Sequence, residues 1–379
     1  MDDKHVLVLG AGFAGLELAA RISDAFAGDV RVTLVDRNDA FSFGYSKLDV
    51  LFGRKAKADV LLPYNEIARE GVDFRQEVVT SIDPEARRVT TDRNTYYADV
   101  LVVAMGADYD FAATPGLEEG GHEYYSLSGA ERMRDALAEF ESGTILIGIL
   151  GHPFKCPPAP FEGALLLHDQ LVTRGIRQAA EIRVLGPMSA PVPITKELSK
   201  SILDALGERG IEYVANQQIT ELDPSTKTVL LESGGSVAYD FFVGIPVHRV
   251  PEVVASSGLA VDGWIPVDRA NLATRFAGVY AVGDVAAAGT AKAGVFAESA
   301  AAVVADDIVA RFTGGDPPEP WDGAGSCYIE FGGGAVGKIE ANFHGGPAPT
   351  ARIVGPSPEL AADKAEFGTT RRARWFGSS

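Results

Sequence analysis

Val6-Leu7-Val8-Leu9-Gly10-Ala11-Gly12-Phe13-Ala14-Gly15-Leu16-Glu17 is the stretch that decides the fold. An apolar run leads into G-x-G-x-x-G, and Leu16 to Ile22 reads as the helix that follows. Gly10 permits the tight turn, Gly12 lets backbone approach a pyrophosphate, and Gly15 lets helix and strand pack closely. Unpaired N–H groups and the dipole at the helix start favour an anion there. A second strand, Val30 to Val35, ends at Asp36, 21 residues after Gly15. A carboxylate at that distance takes ribose hydroxyls. Strand, glycines, helix, strand and acid in register predict a dinucleotide site rather than a chance glycine-rich turn.

The 379 residues suit two or three domains rather than one core. No run of about 18 apolar residues suggests a transmembrane helix. The strand pattern begins at His5, leaving no room for a signal peptide, so the expected location is the cytoplasm. A net charge of −18 argues against a nucleic-acid partner and reads as a solvated surface. There are two cysteines, Cys156 and Cys327, and no CxxC or HxxxH spacing, so no metal site is expected.

Two distant segments say which dinucleotide. Thr274-Arg275-Phe276-Ala277-Gly278-Val279-Tyr280-Ala281-Val282-Gly283-Asp284 resembles the second FAD fingerprint of the disulfide-reductase flavoproteins, whose Asp holds the ribityl chain. Val100 to Gly106 resembles that superfamily's Ala-Thr-Gly strand, with Met105 in place of Thr. Read without the resemblance, Asp284 is a helix N-cap. The resemblance implies an α/β fold of two Rossmann-like dinucleotide-binding domains with a small C-terminal α+β segment. An FAD domain is then split between 1–107 and 245–305, around a second Rossmann-like domain at 108–244. A quinone- and membrane-facing segment occupies 306–379. The implied FAD contacts are Gly10, Gly12, Gly15, Asp36, Ala104, Gly106, Gly283 and Asp284.

The second unit lacks a nicotinamide fingerprint. Its first strand, Thr144 to Leu150, runs into Gly151-His152-Pro153-Phe154-Lys155-Cys156-Pro157. Pro153 removes a backbone donor, and Phe154 and Lys155 add bulk where backbone should meet phosphate. The next strand, Glu181 to Leu185, ends in Gly186-Pro187 with no acid or Arg to read a ribose. Thr195 to Gly210 reads as an amphipathic helix with Leu198, Ile202, Leu203 and Leu206 on one side, and Asp240 to Ile245 as a buried strand.

Pro153 to Glu162 resembles the cysteine motif of sulfide:quinone oxidoreductases and of the flavoprotein subunit of flavocytochrome c sulfide dehydrogenase. Gly244 to Pro251, Lys292 to Glu298, Ser326 to Glu330 and the tail Arg371 to Gly377 resemble further segments of that group. The resemblance implies that HS⁻ attacks a Cys156–Cys327 disulfide, that Cys327 carries the sulfur, and that Cys156 passes an electron pair to FAD and on to a quinone. Lys155 and a helix from Pro157 to Leu167 should lower the Cys156 pKa. The alternative is a pair of buried, inert thiols. With both cysteines redox-active, no third remains for a thioether and the FAD is non-covalent.

Five further roles follow from the resemblance, all but that of His248 beside a plainer one. Glu162 is a proton relay or a helix-start carboxylate. Lys292 stabilises negative charge on reduced flavin or is a surface lysine. His152 is a base or a loop histidine, and His248 orders a loop. Ile329, Phe331 and Phe343 line a quinone pocket or pack ordinary strands. Cys327 opens a hairpin of Tyr328 to Phe331, three glycines, and Ala335 to Phe343. Trp375 and Phe376 beside Arg371, Arg372 and Arg374 suit a membrane surface, or a disordered terminus. The expected partners are sulfide, a quinone and the cytoplasmic membrane, held peripherally; a homodimer stays open. The rival functions are a sulfide dehydrogenase subunit with a cytochrome acceptor, a type II NADH dehydrogenase and a non-enzymatic flavin module.

Overall fold

The computed structural model describes residues 4–377. Its first sheet is parallel, in the order Val279–Ala281, Val100–Val103, Lys4–Leu9, Val30–Asp36, Val72–Gln76. The central strands are apolar almost throughout, because both faces are covered: Val6 to Leu9 and Val100 to Val103 are fully buried. Leu9 pairs with Val35 and with Val103, and Val103 pairs with Ala281. That register brings the carboxyl ends of four strands to one edge. Gly10, Asp36, Ala104 and Gly283 lie at or just beyond those ends, at the crevice where open α/β sheets take ligands.

The second sheet is also parallel, in the order Ile211–Val214, Ala180–Leu185, Gly143–Ile149, Phe241–Ile245. Each unit reaches its fourth parallel strand in chain order through a three-stranded antiparallel meander, over 79–97 before Val100–Val103 in the first and 219–238 before Phe241–Ile245 in the second. One connectivity used twice bears out the two Rossmann-like units. The two crossings between them run side by side as a ribbon, Asp108–Asp110 against Val247–Arg249. The amphipathic helix is Lys196–Glu208, capped by the Thr195 hydroxyl, which accepts from Leu198 N. Leu198, Ile202 and Leu206 are buried, whereas Leu203 is exposed, about 140° around the helix from Leu198.

The C-terminal segment is α+β as expected: an antiparallel sheet of Ala324–Gly332, Ala335–Asn342 and Thr350–Ser357, then the helix Leu360–Phe376. Gly332, Gly333 and Gly334 turn the hairpin at φ 81°, 61° and 77°. Cys327 does not open this hairpin. It lies inside the strand, opposite Ile339, because Ala324, Gly325 and Ser326 pair with the next strand despite having no strand-like pattern.

The tail differs from both sequence expectations. Trp375 and Phe376 are 1% and 2% exposed. The Trp375 ring stands edge-on to Phe13 and Phe41, with centroids at 5.4 and 5.6 Å. Its Nε1–H donates to Glu17 at 2.8 Å, Arg374 donates to the same carboxylate, and Arg371 donates to Glu298. Trp375 and Arg374 lock the last helix onto the first, Phe13–Phe26, and Arg371 ties it to the helix Gly294–Thr313. Trp375→Ala should therefore lower folding stability by about 3–5 kcal/mol, the cost of emptying a buried aromatic site; chemical denaturation of the variant checks this. No helix among the described residues is long and apolar enough to cross a membrane.

Candidate active site

A cleft of ≈ 450 Å³ opens at the carboxyl ends of the first sheet. Seven of the eight expected cofactor contacts line it: Gly10, Gly12, Asp36, Ala104, Gly106, Gly283 and Asp284. Gly15 does not, and the reason is steric. A Cβ on Gly15 would stand 1.9 Å from the Gly10 carbonyl oxygen, so Gly15 acts by letting helix and turn touch. Gly10 has φ 100°, and a Cβ there would meet the Ala104 oxygen at 2.4 Å. Gly12 is the opposite case: its Cβ would meet nothing within 4 Å.

The helix Phe13–Phe26 starts at Gly12 with no side-chain cap. Its first-turn N–H groups are thus left for an anion. Asp36 is held in place, Oδ2 accepting from Ala11 N and Oδ1 from Asn38 N, both at 2.8 Å. Asp284 lies inside the single-turn helix Gly283–Val285, whose cap position is Val282. A neighbouring cavity of ≈ 270 Å³ shares Gly10, Asp36, Asn38 and Met105 with the cleft and lengthens it. Bare backbone, an uncapped helix start, a fixed carboxylate and this length suit a dinucleotide.

Cys156, Glu162, Lys292 and Cys327 line the same cleft. Cys156 reaches it on the loop after Gly143–Ile149. Its backbone N–H donates to Lys292 O at 2.7 Å, and Lys155 and Lys292 form a short parallel bridge. The loop of the second unit is thereby joined to the first. Phe154 is buried, and Lys155 O accepts from the Tyr125 hydroxyl at 3.0 Å. The following helix is Ala159–Thr173, starting two residues later than expected and running further. Cys156 itself is left-handed at φ 51°, an uncommon state for a side-chain-bearing residue.

The expected lowering of the Cys156 pKa is not seen. Burial pushes the thiol well above its usual value, and Cys327 and Glu162 push it further. Lys155 does not offset this, because its ammonium sits 4.4 Å over the Tyr109 ring, with Nζ 3.3 Å from the Tyr109 hydroxyl. Cys327 is raised to about 12, by burial and then by Glu162. Both cysteines are free thiols in this structure.

Glu162 is 3% exposed, and Glu330 N donates to its Oε1 at 2.9 Å. Burial raises its carboxyl to about 7, with Lys364 opposing. Lys292 is no surface residue. It is 8% exposed, its Nζ donates to Asp284 O, and it lies 3.4 Å over the Trp264 ring. Burial lowers it to about 8. Glu298, from the same sequence segment, pairs with Arg371.

His152 is exposed, packs against Phe154 and lies outside the cleft lining. His248 is buried between Tyr109 and Tyr125, with Nδ1 2.7 Å from Pro246 O, and burial lowers it to about 3. That placement suits a loop-ordering residue. Ile329 and Phe331 are buried in the core of the second unit, and Phe343 packs edge-on to Phe296. None of the three lines the cleft. Its apolar rim is instead Phe13, Phe41, Tyr45, Leu48, Tyr328 and Phe367. The aromatic run Phe41-Ser42-Phe43-Gly44-Tyr45, soon after Asp36, is the sequence signal for part of this rim, and the reading of the sequence passed over it.

Known proteins share this fold. A sulfide-quinone reductase of Aquifex aeolicus is 28% identical over 334 residues, which cover 81% of this chain and 76% of its own. A type II NADH:quinone oxidoreductase of Staphylococcus aureus is 36% identical over 134 residues, only 35% of this chain and 33% of its own. Among solved structures, the sulfide:quinone oxidoreductase of Aquifex aeolicus superposes with a TM-score of 0.86 at 24% identity, covering 99% of this chain and 93% of its own. NDH2 of Plasmodium falciparum in complex with NADH gives 0.74 at 12% identity, covering 98% and 96%. The model of the pyridine nucleotide-disulphide oxidoreductases matches residues 4–152 and 162–305, and the stretch it passes over is the loop bearing Cys156. With most of its length matched, this chain is an oxidoreductase that belongs to the pyridine nucleotide-disulphide oxidoreductase family.

Proposed function

We propose that this oxidoreductase is a sulfide:quinone oxidoreductase that holds FAD, without a covalent bond, in the cleft. One observation carries the reading. Cys156 and Cys327, 171 residues apart in sequence, line the same cleft as the dinucleotide cradle. In the proposal the uncapped helix start takes the pyrophosphate, Asp36 the adenosine ribose, and Asp284 the ribityl chain. FAD, when bound, supplies a two-electron acceptor that a quinone can reoxidise.

The protein's own share is sulfur and proton chemistry. A Cys156–Cys327 disulfide offers an electrophilic sulfur. HS⁻ bonds to the Cys327 sulfur as the Cys156–Cys327 bond breaks, leaving a Cys327 persulfide and a Cys156 thiolate. That step moves no electrons off the protein; a second nucleophile such as HS⁻ takes the outer sulfur from Cys327, and the two thiolates then re-form the Cys156–Cys327 disulfide as one electron pair passes to the acceptor. Lys292, beside Asp284, supplies a buried positive charge near where negative charge arrives. Glu162 holds or takes the proton. The apolar rim offers room for a quinone ring, and a lipid-soluble acceptor calls for peripheral contact with the cytoplasmic membrane, through a surface other than the buried tail aromatics. The FAD domain would comprise 1–107 and 245–305, with 108–244 between them.

Type II NADH oxidation is the second reading, supported by the relatives that match the first unit. Against it stands the loop after Gly143–Ile149, which is folded around buried Phe154 and tied to the first unit. An anaerobic titration separates the two. Sulfide should bleach the flavin band of the yellow protein while NADH leaves it, and a soluble quinone, not cytochrome c, should restore it. Bleaching by NADH alone would overturn the proposal.

A further inference from the structure

A line of ionic contacts runs from the cysteine pair to the surface. It starts at Glu162, whose Oε1 lies 3.8 Å from Lys364 Nζ. Lys364, on the helix Leu360–Phe376, also pairs with Glu330 of the Cys327 strand. Arg54 grips Glu330 with two donors, one at 3.0 Å, and holds Asp49 at 3.0 Å. Lys55, half exposed, reaches Asp49 at 3.6 Å. The side chain of Glu162 at the inner end is 4% exposed, Lys364 12% and Arg54 36%, and beyond Asp49 at 16% the outer end, Lys55, is 53% exposed.

The surroundings of Glu162 leave few ways to neutralise it. Lys364 faces it from the last helix, Glu330 and Cys327 from the strand Ala324–Gly332, and Arg54 from the segment after the helix Ser46–Leu51. Cys156 faces it from its own loop, and Tyr124 and Tyr125 from the segment before the helix Leu127–Ala138. Three carboxylates (Glu162, Glu330, Asp49) meet three cations (Lys364, Arg54, Lys55). Protonating Glu162 leaves one positive charge in excess, which favours releasing that proton again. A brace between strand and helix needs none of this. Replacing a buried ion pair by apolar side chains is often neutral for stability.

We propose that Lys364, Glu330 and Arg54 are positioning residues that hold the Glu162 carboxyl against the cysteine pair and set how readily it exchanges a proton with the sulfur. Resting on the sulfide reading, the step balances simply. The Cys327 persulfide, Cys–S–SH, gives its proton to the Glu162 carboxylate, yielding Cys–S–S⁻ and the carboxylic acid. No electrons move, and the proton stays on the Glu162 carboxyl, held there until the site releases it. Lys364 favours the charged carboxylate, whereas the Glu330 charge disfavours it. The two neighbours thus push in opposite directions.

That opposition is the test. In the holoenzyme, the infrared band of the protonated carboxyl, assigned by its loss in Glu162→Gln, is followed with pH. The wild type should titrate at about 7. Lys364→Met should shift the midpoint upward by about one pH unit or more, Glu330→Gln should shift it downward, and Lys364→Arg should leave it in place. The pH profile of sulfide-driven bleaching should move with it. Unmoved midpoints, or both shifts in one direction, would overturn the proposal; if Lys364→Met does not fold, Glu330→Gln and Lys364→Arg still decide it. The infrared titration uses no sulfide, so a protein bleached by NADH instead would defeat the functional reading without deciding this one.

Discussion

Changing either cysteine to serine removes sulfide-driven flavin reduction by at least about 10³-fold and leaves the cofactor bound, because a hydroxyl cannot form the disulfide that sulfide attacks. Cys156→Ser, Cys327→Ser and the double variant should lose about the same amount, since the two sulfurs work as one group and the first loss leaves nothing for the second to remove. Flavin content should hold, because the cradle is built from backbone, Asp36 and Asp284 rather than from thiols. The backbone bond from residue 156 to Lys292 O also survives the change. Stopped-flow bleaching by sulfide and flavin absorbance per chain are the two measurements. A Cys156→Ser protein that oxidises sulfide at the wild-type rate would sink the mechanism; one that loses its flavin would show that the cysteine matters to the fold instead.

Gly12→Ala and Gly15→Ala should both purify without flavin, but only the second should weaken the empty protein. At Gly15 the new methyl would lie 1.9 Å from the Gly10 oxygen and 3.3 Å from a Leu34 methyl, so helix and turn must part. Overpacking of this kind costs about 3 kcal/mol. If that cost falls on the cradle, affinity drops about 100-fold. At Gly12 the methyl meets no protein atom within 4 Å and clashes only with what the cradle holds. Thermal melts of the flavin-free proteins check the contrast: Gly15→Ala should melt several degrees lower, and Gly12→Ala should match the wild type. Equal melting points would mean that the first turn relaxes freely, and that the close approach of Gly15 to Gly10 is not what shapes the site.

Proton balance links the site to its surroundings. A buried thiol makes a poor leaving group, and Cys156 is such a thiol, with Lys364 offsetting its burial only in part. Departure of the Cys156 thiolate is then helped by a proton or a positive charge supplied from elsewhere. Glu162, at about 7, and Lys292, at about 8, are the two cleft groups whose charge changes near neutral pH. This gives the ionic line through Lys364 a reason to exist beyond holding two elements together.

Much of the fold was legible because its signals are short-range. A strand, a glycine turn, a helix start and an acid lie within 31 residues, Val6 to Asp36, and each has its own backbone requirement. The Cβ clash at Gly10 is with Ala104 on a distant strand, whereas Gly15 can be read from spacing since its Cβ would clash with the Gly10 carbonyl five residues back. The same holds for the Gly283-Asp284 turn and for the absence of a second phosphate turn around Pro153. What failed were inferences from neighbours in sequence to neighbours in space. Lys155 adjoins Cys156 in the chain, yet its charge goes to Tyr109. Ile329 and Phe331 adjoin Cys327, yet they fill the core of the second unit.

The sequence by itself marked out the two Rossmann-like units, the glycines and acids that line the cleft and the two cysteines beside them, because backbone geometry at glycines and strand ends is written in local spacing. Tertiary structure alone decided the electrostatics and the tail. The cysteine pKa depends on burial and on Glu162, Lys364 and Cys327 arriving from three separate elements. The Trp375 indole is buried because its partner is Glu17, 358 residues away. Aromatics beside arginines look the same in sequence whether they meet lipid or a protein core; only the fold supplies the carboxylate that tells them apart.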